Sequence, residues 1–352
     1  MDKELSKQIK KQQYGLGIFA LLPAISDDHF SAATYHIASK TTIQSIPLIK
    51  AGKKFNVLFD LNTAFAATII PKGILAKVKE SAILIHVPAN TKAADAYTVD
   101  IDGFAGFSIG CVCILVEASS DVHIIIKHTQ ATSQLLVHTI CEANAKLSLV
   151  HLTPQYPQPY HYYQHNIIQT KAQYSGLELI RNADLVQSHV TTQLAGAESA
   201  AFQGHIDFGS RESKHDLFVG MHHEGAGSTS EMLSKVILRD RSHTVYRSMI
   251  KITEDADKVS GQQKEQTLLL SPQARIDAIP MLDITNDSVS CSHSASMSNL
   301  DQEQLFYLQS RGFSYEQAES LIVQGFYSDV LKYFSNLALC ALIHDYTSPL
   351  HL

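Results

Sequence analysis

The stretches Cys111-Val-Cys-Ile-Leu-Val116 and Leu147-Ser-Leu-Val-His-Leu152 decide the fold class of this chain. Both are short, rich in β-branched and aliphatic residues, and bounded by turn-forming residues, which is the pattern of β-strands. Similar segments recur from about Lys54 to Ser290, where the dominant period of the apolar residues is two rather than 3.6. This region is therefore predicted to be all-β.

Turn signals separate these segments, and from Gly225 onward they recur every 14 to 18 residues. Short strands at regular spacing without intervening helices exclude a βαβ sheet and leave a sandwich, a propeller or a solenoid. The turns repeat a pattern of three positions: an acidic residue, then Gly or Asp, then Ala. This pattern lacks a propeller-blade signature and favours the solenoid. We therefore predict a mainly β protein with a right-handed parallel β-helix core over residues 51–297.

The C-terminal part of the sequence is predicted to be helical. Asp301 followed by Gln304, and Ser314 followed by Gln317, are typical of two helix starts with capping boxes. Gly312 lies where a left-handed helix end is expected. An apolar stripe follows, formed by Ala318, Leu321, Ile322, Phe326, Val330, Tyr333, Phe334 and Leu337. This pattern predicts a helical hairpin within a C-terminal domain over residues 298–352.

The first 50 residues form a separate segment that we expect to be partly helical. Four lysines precede the apolar stretch Tyr14 to Ile25, which superficially resembles a secretory signal. Asp2 and Glu4 dilute the positive charge, Pro23 interrupts the apolar stretch, and no convincing cleavage site follows. An amphipathic N-terminal helix is therefore the favoured interpretation.

Composition excludes several classes of function. The net charge is −6 and the basic residues are scattered, which does not support nucleic-acid binding. No apolar run approaches the roughly 18 residues that a membrane span requires. The five cysteines form no even, spaced disulfide framework, which agrees with a reducing, cytoplasmic compartment.

Cys291 and His293 lie where strand-like sequence gives way to helix. His293 could orient this junction by hydrogen bonding, or it could supply a nitrogen ligand or relay a proton. Cys291 could be a small buried residue or a thiolate ligand. The residues alone leave both alternatives open.

Other histidines are weaker candidates for a metal site. His222 and His223 are neighbours on a predicted strand, so their rings should point to opposite faces. His161 and His165 are four residues apart, but the prolines and tyrosines around them favour a loop over a helix. The sequence contains no phosphate loop, nucleophile elbow or H-E-x-x-H motif, so we predict a non-catalytic protein that depends on a partner for any ATPase activity.

Four segments carry a resemblance to a known family. They are Gly204 to Gly227, Tyr246 to Ile252, Lys264 to Pro280, and Cys291 to Gly312, and the resemblance is strongest over residues 170–335. These segments resemble the SufB/SufD family of iron–sulfur cluster assembly scaffolds. The Cys291-Ser-His293 form, followed by Ser294 rather than Glu, is similar to the SufD branch, and no cysteine stands between Gly261 and Thr267 where SufB carries one.

The resemblance implies a scaffold subunit that pairs with a SufB-like subunit and docks a SufC-like ABC ATPase. It implies that His293, with Cys291 beside it, acts in cluster assembly at the interface with SufB and is a candidate metal ligand. It also places ATPase docking on the C-terminal helices, where the candidate residues are Leu321, Ile322, Gly325, Phe326 and Val330. The alternative for that stripe is packing onto the β-helix, and both can hold because a two-helix unit has two sides.

No cofactor is expected to bind the isolated chain stably, and an iron–sulfur cluster would be transient in the complex. Flavin binding is left open. Family members are usually longer, so the N-terminal segment is expected to be shortened. Two alternatives remain: a homo-oligomeric SufB/SufD-like scaffold without a separate SufB, and a β-helical carbohydrate-active enzyme. The enzyme would need a ladder of Asp, Arg and Lys side chains on stacked coils, and none is readable.

Overall fold

The computed structural model describes residues 33–36, 45–46, 83–101, 109–128, 134–153, 159–181, 183–334, 336, 340–341 and 343. Within these ranges the chain forms eighteen strands. They are β1 Ala33–His36, β2 Ser45–Ile46, β3 Ile83–Val87, β4 Lys92–Ile101, β5 Ile109–Val116, β6 Asp121–His128, β7 Gln134–Cys141, β8 Lys146–Leu152, β9 Tyr160–Ile168, β10 Gln173–Arg181, β11 Leu185–Leu194, β12 Ala200–Gly209, β13 Lys214–His223, β14 Thr229–Leu238, β15 His243–Ile252, β16 Ser260–Leu269, β17 Arg275–Ile284 and β18 Ser290–Asn299.

Consecutive strands alternate between two nine-stranded sheets, which confirms the predicted β-solenoid. The odd-numbered strands form sheet A in the order β1 to β17, and the even-numbered strands form sheet B in the order β2 to β18. Every strand pairs in parallel with the strand two places along the chain, for example β14 with β12 and β16. Neighbouring coils are therefore stacked about 4.8 Å apart.

The turns that join the sheets also stack on one another. Seven turns that lead from sheet A to sheet B each have one residue in the left-handed conformation. These residues form the column Asn90, Ser119, Asn144, Lys171, Glu198, Gly227 and Lys258. The backbone N–H of each turn donates to a carbonyl of the next, as from Lys171 to Ala197 at 2.9 Å and from Glu198 to Ala226 at 2.8 Å. These hydrogen bonds keep the coils in register.

The interior between the sheets is the main core. Alternate residues of each strand point inward, and fully buried side chains such as Tyr162, Val190 and Val219 from sheet A meet Tyr174 and Ile180 from sheet B. Since one face of each strand is buried here, the period-two pattern follows directly from the fold.

Two α-helices and a 3₁₀ helix follow β18 over residues 302–333. Helix α1 spans Gln302–Ser310 and is capped by Asp301, whose side chain accepts from the backbone N–H of Gln304. Helix α2 spans Tyr315–Tyr327 and begins with a capping box between Ser314 and Gln317. Gly312 has φ +95° in the turn between them. Both predicted helix starts are therefore confirmed.

The apolar stripe does not form one continuous helix. Helix α2 ends at Tyr327, and a 3₁₀ helix over Ser328–Tyr333 takes over. The stripe packs on the outer face of sheet B, where Val323, Val330 and Phe334 meet Phe202 and Leu233 in a second core. Leu337 lies outside the described residues.

Three boundaries of the predicted elements can be compared with the strands. Residues 1–50 contain β1 and β2, whereas the predicted helix over Tyr14 to Ile25 and the start of the β-helix at residue 51 lie outside the described residues. Strand β18 extends two residues past the predicted end at residue 297.

No helix among the described residues is long and apolar enough to cross a membrane.

The segment around His161 and His165 corrects one expectation. It is neither a helix nor a loop but strand β9, from Tyr160 to Ile168, paired with β7 and β11. Three prolines before Tyr160 suggested a loop. The pairing of β9 with its two neighbours decides the conformation instead, because a strand within a sheet has its backbone hydrogen bonds supplied from both sides.

Candidate functional site

The solenoid ends in two open strand edges. Strand β17 terminates sheet A and strand β18 terminates sheet B, and each has a strand on one side only. Their side chains are half-buried or exposed, whereas the equivalent positions of earlier coils are buried. Pro280 on β17 cannot donate a backbone hydrogen bond, which suits an edge strand. This end of the solenoid is called the open end below.

Cys291 lies on the inward side of β18 at the open end. It packs against the interior core, and its Sγ is 3.4 Å from the position that a Cβ atom would take on Gly261 of the preceding coil. Burial raises the pKa of the Cys291 thiol, although a backbone hydrogen bond at Gly261 partly opposes this effect. The thiol is therefore protonated at neutral pH and needs a further ligand or a partner to become a thiolate.

His293 stands two residues further along β18 and shares the inward face of the strand with Cys291. It is exposed, because no later coil covers it. Its register partner Gln263 accepts a hydrogen bond from the Ser248 hydroxyl at 3.1 Å and donates one to the Met281 carbonyl at 3.0 Å. Gln263 thus links the two sheets in the coil directly beneath His293.

Large apolar side chains also lie on the two edge strands of the open end. Met297 is 64% exposed, and Leu282 and Ile284 are each close to 40% exposed. A row of unpaired strand edges beside exposed apolar side chains is the kind of surface that pairs with another chain.

The helical hairpin formed by α1 and α2, together with the 3₁₀ helix that follows it, makes polar contacts with strand β14 of sheet B. Glu231 contacts the Tyr333 hydroxyl, Lys235 pairs with Asp329 at 2.8 Å, and Arg239, just past the end of β14, forms an ion pair with Glu319. The ammonium of Lys235 also lies 4.7 Å from the ring centroid of Phe326. The hairpin and the solenoid therefore share a polar as well as an apolar interface.

The five predicted docking residues lie in different environments. Val330 is fully buried against sheet B, and Phe326 packs partly buried against the same core. Ile322 packs partly buried within the hairpin. Leu321 is 40% exposed, and Gly325 is exposed with open space around it. Only Leu321 and Gly325 thus face away from the intramolecular core.

The hairpin also exposes aromatic side chains that were not predicted. Phe306 is 73% and Tyr307 is 55% exposed on α1, while Phe313 and Tyr315 are more than 40% exposed at the connection to α2. Only Leu305 of α1 is buried. The adjacent pair Phe306 and Tyr307 was a detectable signal, because one helix face cannot bury both together with Leu305 and Leu308.

The remaining histidine candidates do not converge on one ion. His223 points into the solenoid and contacts the hydroxyls of Ser228 and Ser230 at 2.8 Å each, whereas His222 lies on the opposite face of β13. His161 contacts Gln187, and His165 contacts His138 on the neighbouring strand. Among the described residues no group of three or more His, Cys, Asp or Glu side chains is arranged to hold a metal ion.

The fold and these residues define a β-solenoid with an open end and an appended helical hairpin, and a family of such proteins matches the sequence. Residues 99–326 match the family described as SUF system FeS cluster assembly, SufBD core domain. This match covers well over half of the 352 residues. The chain therefore belongs to the SufBD family of iron–sulfur cluster assembly proteins.

Individual relatives agree with this assignment and confirm the predicted likeness to SufD. The chain is 28% identical over 192 residues to the iron–sulfur cluster assembly protein SufD of Escherichia coli K12, covering 54% of this chain and 45% of the relative. It is 32% identical over 156 residues to SufD of Bacillus subtilis 168, covering 44% and 36%.

A SufBD family protein of Pyrococcus horikoshii is 31% identical over 241 residues, covering 63% of this chain and 51% of the relative. The chain thus spans about half the length, or less, of these curated relatives.

Proposed function

We propose that this chain is a SufD-like scaffold subunit of a SUF iron–sulfur cluster assembly complex. In this role it pairs with a SufB-like subunit, docks a SufC-like ATPase and performs no catalysis itself. The complex would act in the cytoplasm and hold a cluster only transiently. The observation that carries the proposal is the open end of the solenoid, where Cys291 and His293 lie on an edge strand that is paired on one side only.

Pairing through the open end is supported by the backbone and the side chains together. The unpaired edges of β17 and β18 offer hydrogen-bond donors and acceptors, and Leu282, Ile284 and Met297 offer apolar area. A partner seated there would cover the thiol of Cys291 and the imidazole of His293. Ligands from two chains could then complete a site that neither chain holds alone.

Pairing is tested with the full chain and the SufB-like subunit of the same host, by size-exclusion chromatography with light scattering. Met297→Asp should place a carboxylate in the interface and abolish the heterodimer while the circular dichroism spectrum is unchanged. Gln173→Asp, an exposed position on β10 four strands from the edge, is the matched control and should pair normally. A heterodimer that tolerates Met297→Asp would show that the partner sits elsewhere.

The role of His293 is tested by cluster formation in the assembled complex. His293→Ala should leave folding and pairing intact and abolish cluster formation, since alanine supplies neither a nitrogen ligand nor a proton relay. The neighbouring Ser294→Ala lies on the opposite face of β18 and should retain full yield. A normal yield of cluster with His293→Ala would return His293 to a structural role.

Docking of the ATPase is assigned to the exposed side of the hairpin. Phe306, Tyr307 and Leu321 present apolar area away from sheet B, whereas Val330 is already used for packing. Because the sequence contains no phosphate loop, ATP hydrolysis in the complex would come from a partner. The exposed apolar side of the hairpin is the surface proposed to bind that partner.

Asp substitutions should therefore separate into two classes. Phe306→Asp and Leu321→Asp should keep the circular dichroism signal and lose the ATPase in a pull-down. Val330→Asp should unfold the hairpin, because an unpaired carboxylate at a fully buried position costs several kcal/mol, roughly. If both exposed substitutions still retain the ATPase, the hairpin is not its docking site.

The second candidate function is a homo-oligomeric scaffold without a separate SufB. The same open end favours it, because two copies could place their β18 edges together about a two-fold axis. A homodimer that forms without the SufB-like subunit and carries a cluster would support this candidate over the first.

A further inference from the structure

One interior column of the solenoid is polar in five consecutive coils of sheet B. The side chains stand at register positions on β8, β10, β12, β14 and β16, and each is at most 6% exposed. They are His151, Glu178, His205, Ser234 and Glu265. Four intervals of about 4.8 Å give the column a length of about 19 Å. Interior columns of a β-solenoid are normally apolar, so this one needs an explanation.

Glu178 is the charged centre of the column. Its Oε2 accepts a hydrogen bond from the Ser188 hydroxyl at 2.6 Å and lies 2.8 Å from the Nε2 of His205. Its Oε1 lies 3.8 Å from the Nδ1 of His151, which is too long for a hydrogen bond. Burial would raise the pKa of Glu178, but its two histidine neighbours hold that pKa below its usual range.

Glu178 and His205 do not use all of their polar atoms. Among the described residues, neither Glu178 Oε1 nor His205 Nδ1 has a hydrogen-bond partner, although both residues are at least 99% buried. A buried polar atom left without a hydrogen-bond partner destabilises the folded chain. Ordered water is the usual partner of such atoms in a polar interior.

A second buried histidine shows that this arrangement is not forced by the fold. His215 is as buried as His205, but its Nδ1 pairs with Asp207 at 2.7 Å and its Nε2 with the Ala183 carbonyl at 3.0 Å. Both of its ring nitrogens are therefore satisfied by the protein. His205 and His215 thus differ in this respect although both lie in the same interior.

The column continues toward the open end. The ring of Tyr246 on sheet A lies 6.3 Å from that of His205, and its hydroxyl faces Ser234 and Glu265. Glu265 accepts a hydrogen bond from the Thr267 hydroxyl. The next position in the column, on β18, is Ala295, which is exposed. Only a methyl group therefore separates the column from solvent.

We propose that this column binds a file of water molecules that runs from Glu178 to Glu265 and opens to solvent beside Ala295. Water pairs with the unused atoms of Glu178 and His205, and the hydroxyls of Ser234 and Tyr246 extend the file. Such a file conducts protons along the solenoid axis between the pair of Glu178 and His205 and the open end, where Cys291 and His293 lie.

The role of this file in proton transfer rests on the proposed function, whereas the presence of water in the column does not. Each thiol that binds iron exchanges its S–H bond for an S–Fe bond and releases one proton. While a partner covers the surface, the file would pass that proton inward to the hydrogen-bonded pair of Glu178 and His205, which accepts it.

Hydration is tested by hydrogen–deuterium exchange at the C2 position of the imidazole rings, measured by mass spectrometry on the 352-residue chain. Exchange at C2 requires solvent to reach the ring. His205 should exchange at least about tenfold faster than His215, because both are buried but only His205 borders the file. Equal, slow exchange at both rings would overturn the proposal.

Whether the file opens to solvent beside Ala295 is tested by blocking that position with a larger side chain. Ala295→Met should place a longer side chain over Glu265 and slow exchange at His205 by at least about threefold. Ser296→Met adds the same bulk on the opposite face of β18 and should leave the rate unchanged. If Ala295→Met lowers the melting temperature strongly, Ala295→Val serves instead.

An unchanged rate at His205 in the closed variant would overturn the opening beside Ala295. None of these measurements needs a partner chain, so their failure is distinct from a failure of the proposed pairing.

Discussion

The Sγ of Cys291 lies over Gly261 of the preceding coil, 3.4 Å from the position of a Cβ atom there. This contact directs the thiol along the solenoid axis rather than outward to solvent. The same inward face carries His293 two residues later. The stacking of β18 on β16 places both candidate residues at the rim of the solenoid interior.

The thiol of Cys291 should react slowly at neutral pH. Burial raises its pKa above the ordinary value of 9.0, so the thiolate fraction is small at pH 7. Its rate of alkylation by iodoacetamide, followed by peptide mass spectrometry, should rise about tenfold per pH unit up to at least pH 9. The variant Cys291→Ser lacks the thiol, so the alkylated peptide that disappears in it is the one that contains Cys291. A fast rate that is flat between pH 7 and 9 would show a thiolate already present.

Gly225 should be one of the least replaceable residues of the solenoid. A Cβ on Gly225 would lie 2.0 Å from the Gly196 carbonyl oxygen of the stacked turn, which is backbone and cannot move aside. Gly225→Ala should cost about 3 kcal/mol or more in unfolding free energy, measured by urea denaturation.

Gly325 is the matched control for that substitution. It lies on the exposed side of helix α2, and no atom stands within 4 Å of the position that an added methyl group would take. Gly325→Ala should therefore stabilise the protein by about 0.5–1 kcal/mol. Similar stability of the two variants would contradict the role of the turn stack.

The ion pair between Arg239 and Glu319 should hold the hairpin on sheet B. Glu319 is only 7% exposed, so Glu319→Ala leaves Arg239 without its partner in a half-buried place. We expect a loss of about 1–3 kcal/mol and a melting temperature lower by several degrees. Glu303→Ala on exposed α1 is the control. Equal melting temperatures for Glu319→Ala and Glu303→Ala would show that the ion pair between Arg239 and Glu319 does not contribute to the stability of the folded chain.

The carboxyl of Glu265 should make the protein less stable as the pH rises. Burial raises its pKa from 4.5 to about 7, against the weaker effect of the Thr267 hydroxyl. Between these values the folded chain keeps a proton that the unfolded chain releases. Stability is therefore lost as the pH rises through this window, and the loss reaches about 3 kcal/mol above pH 7.

Glu265→Gln removes this dependence while keeping the size and the acceptor for Thr267. The variant should melt at the same temperature as the parent chain at pH 5 and at a higher temperature at pH 8. A difference that is the same at both pH values would mean that Glu265 does not titrate in this window.

Local sequence determined the elements of this fold. Strand alternation and turn chemistry depend on residues close in the chain, so the solenoid and the starts of α1 and α2 at Asp301 and Ser314 could be predicted. The Cys291-Ser-His293 motif could be located for the same reason. Strand β9 was missed, because its conformation depends on pairing with β7 and β11 rather than on its own residues.

Tertiary structure alone decided which surfaces are available. Val330 and Leu321 belong to one predicted stripe, yet sheet B buries the first and leaves the second exposed. The interior column from Glu178 to Glu265 joins residues 87 positions apart in the sequence, and only the parallel register aligns them. Local patterns report the alternation of faces along one strand, whereas alignment between strands depends on the stacking of whole coils.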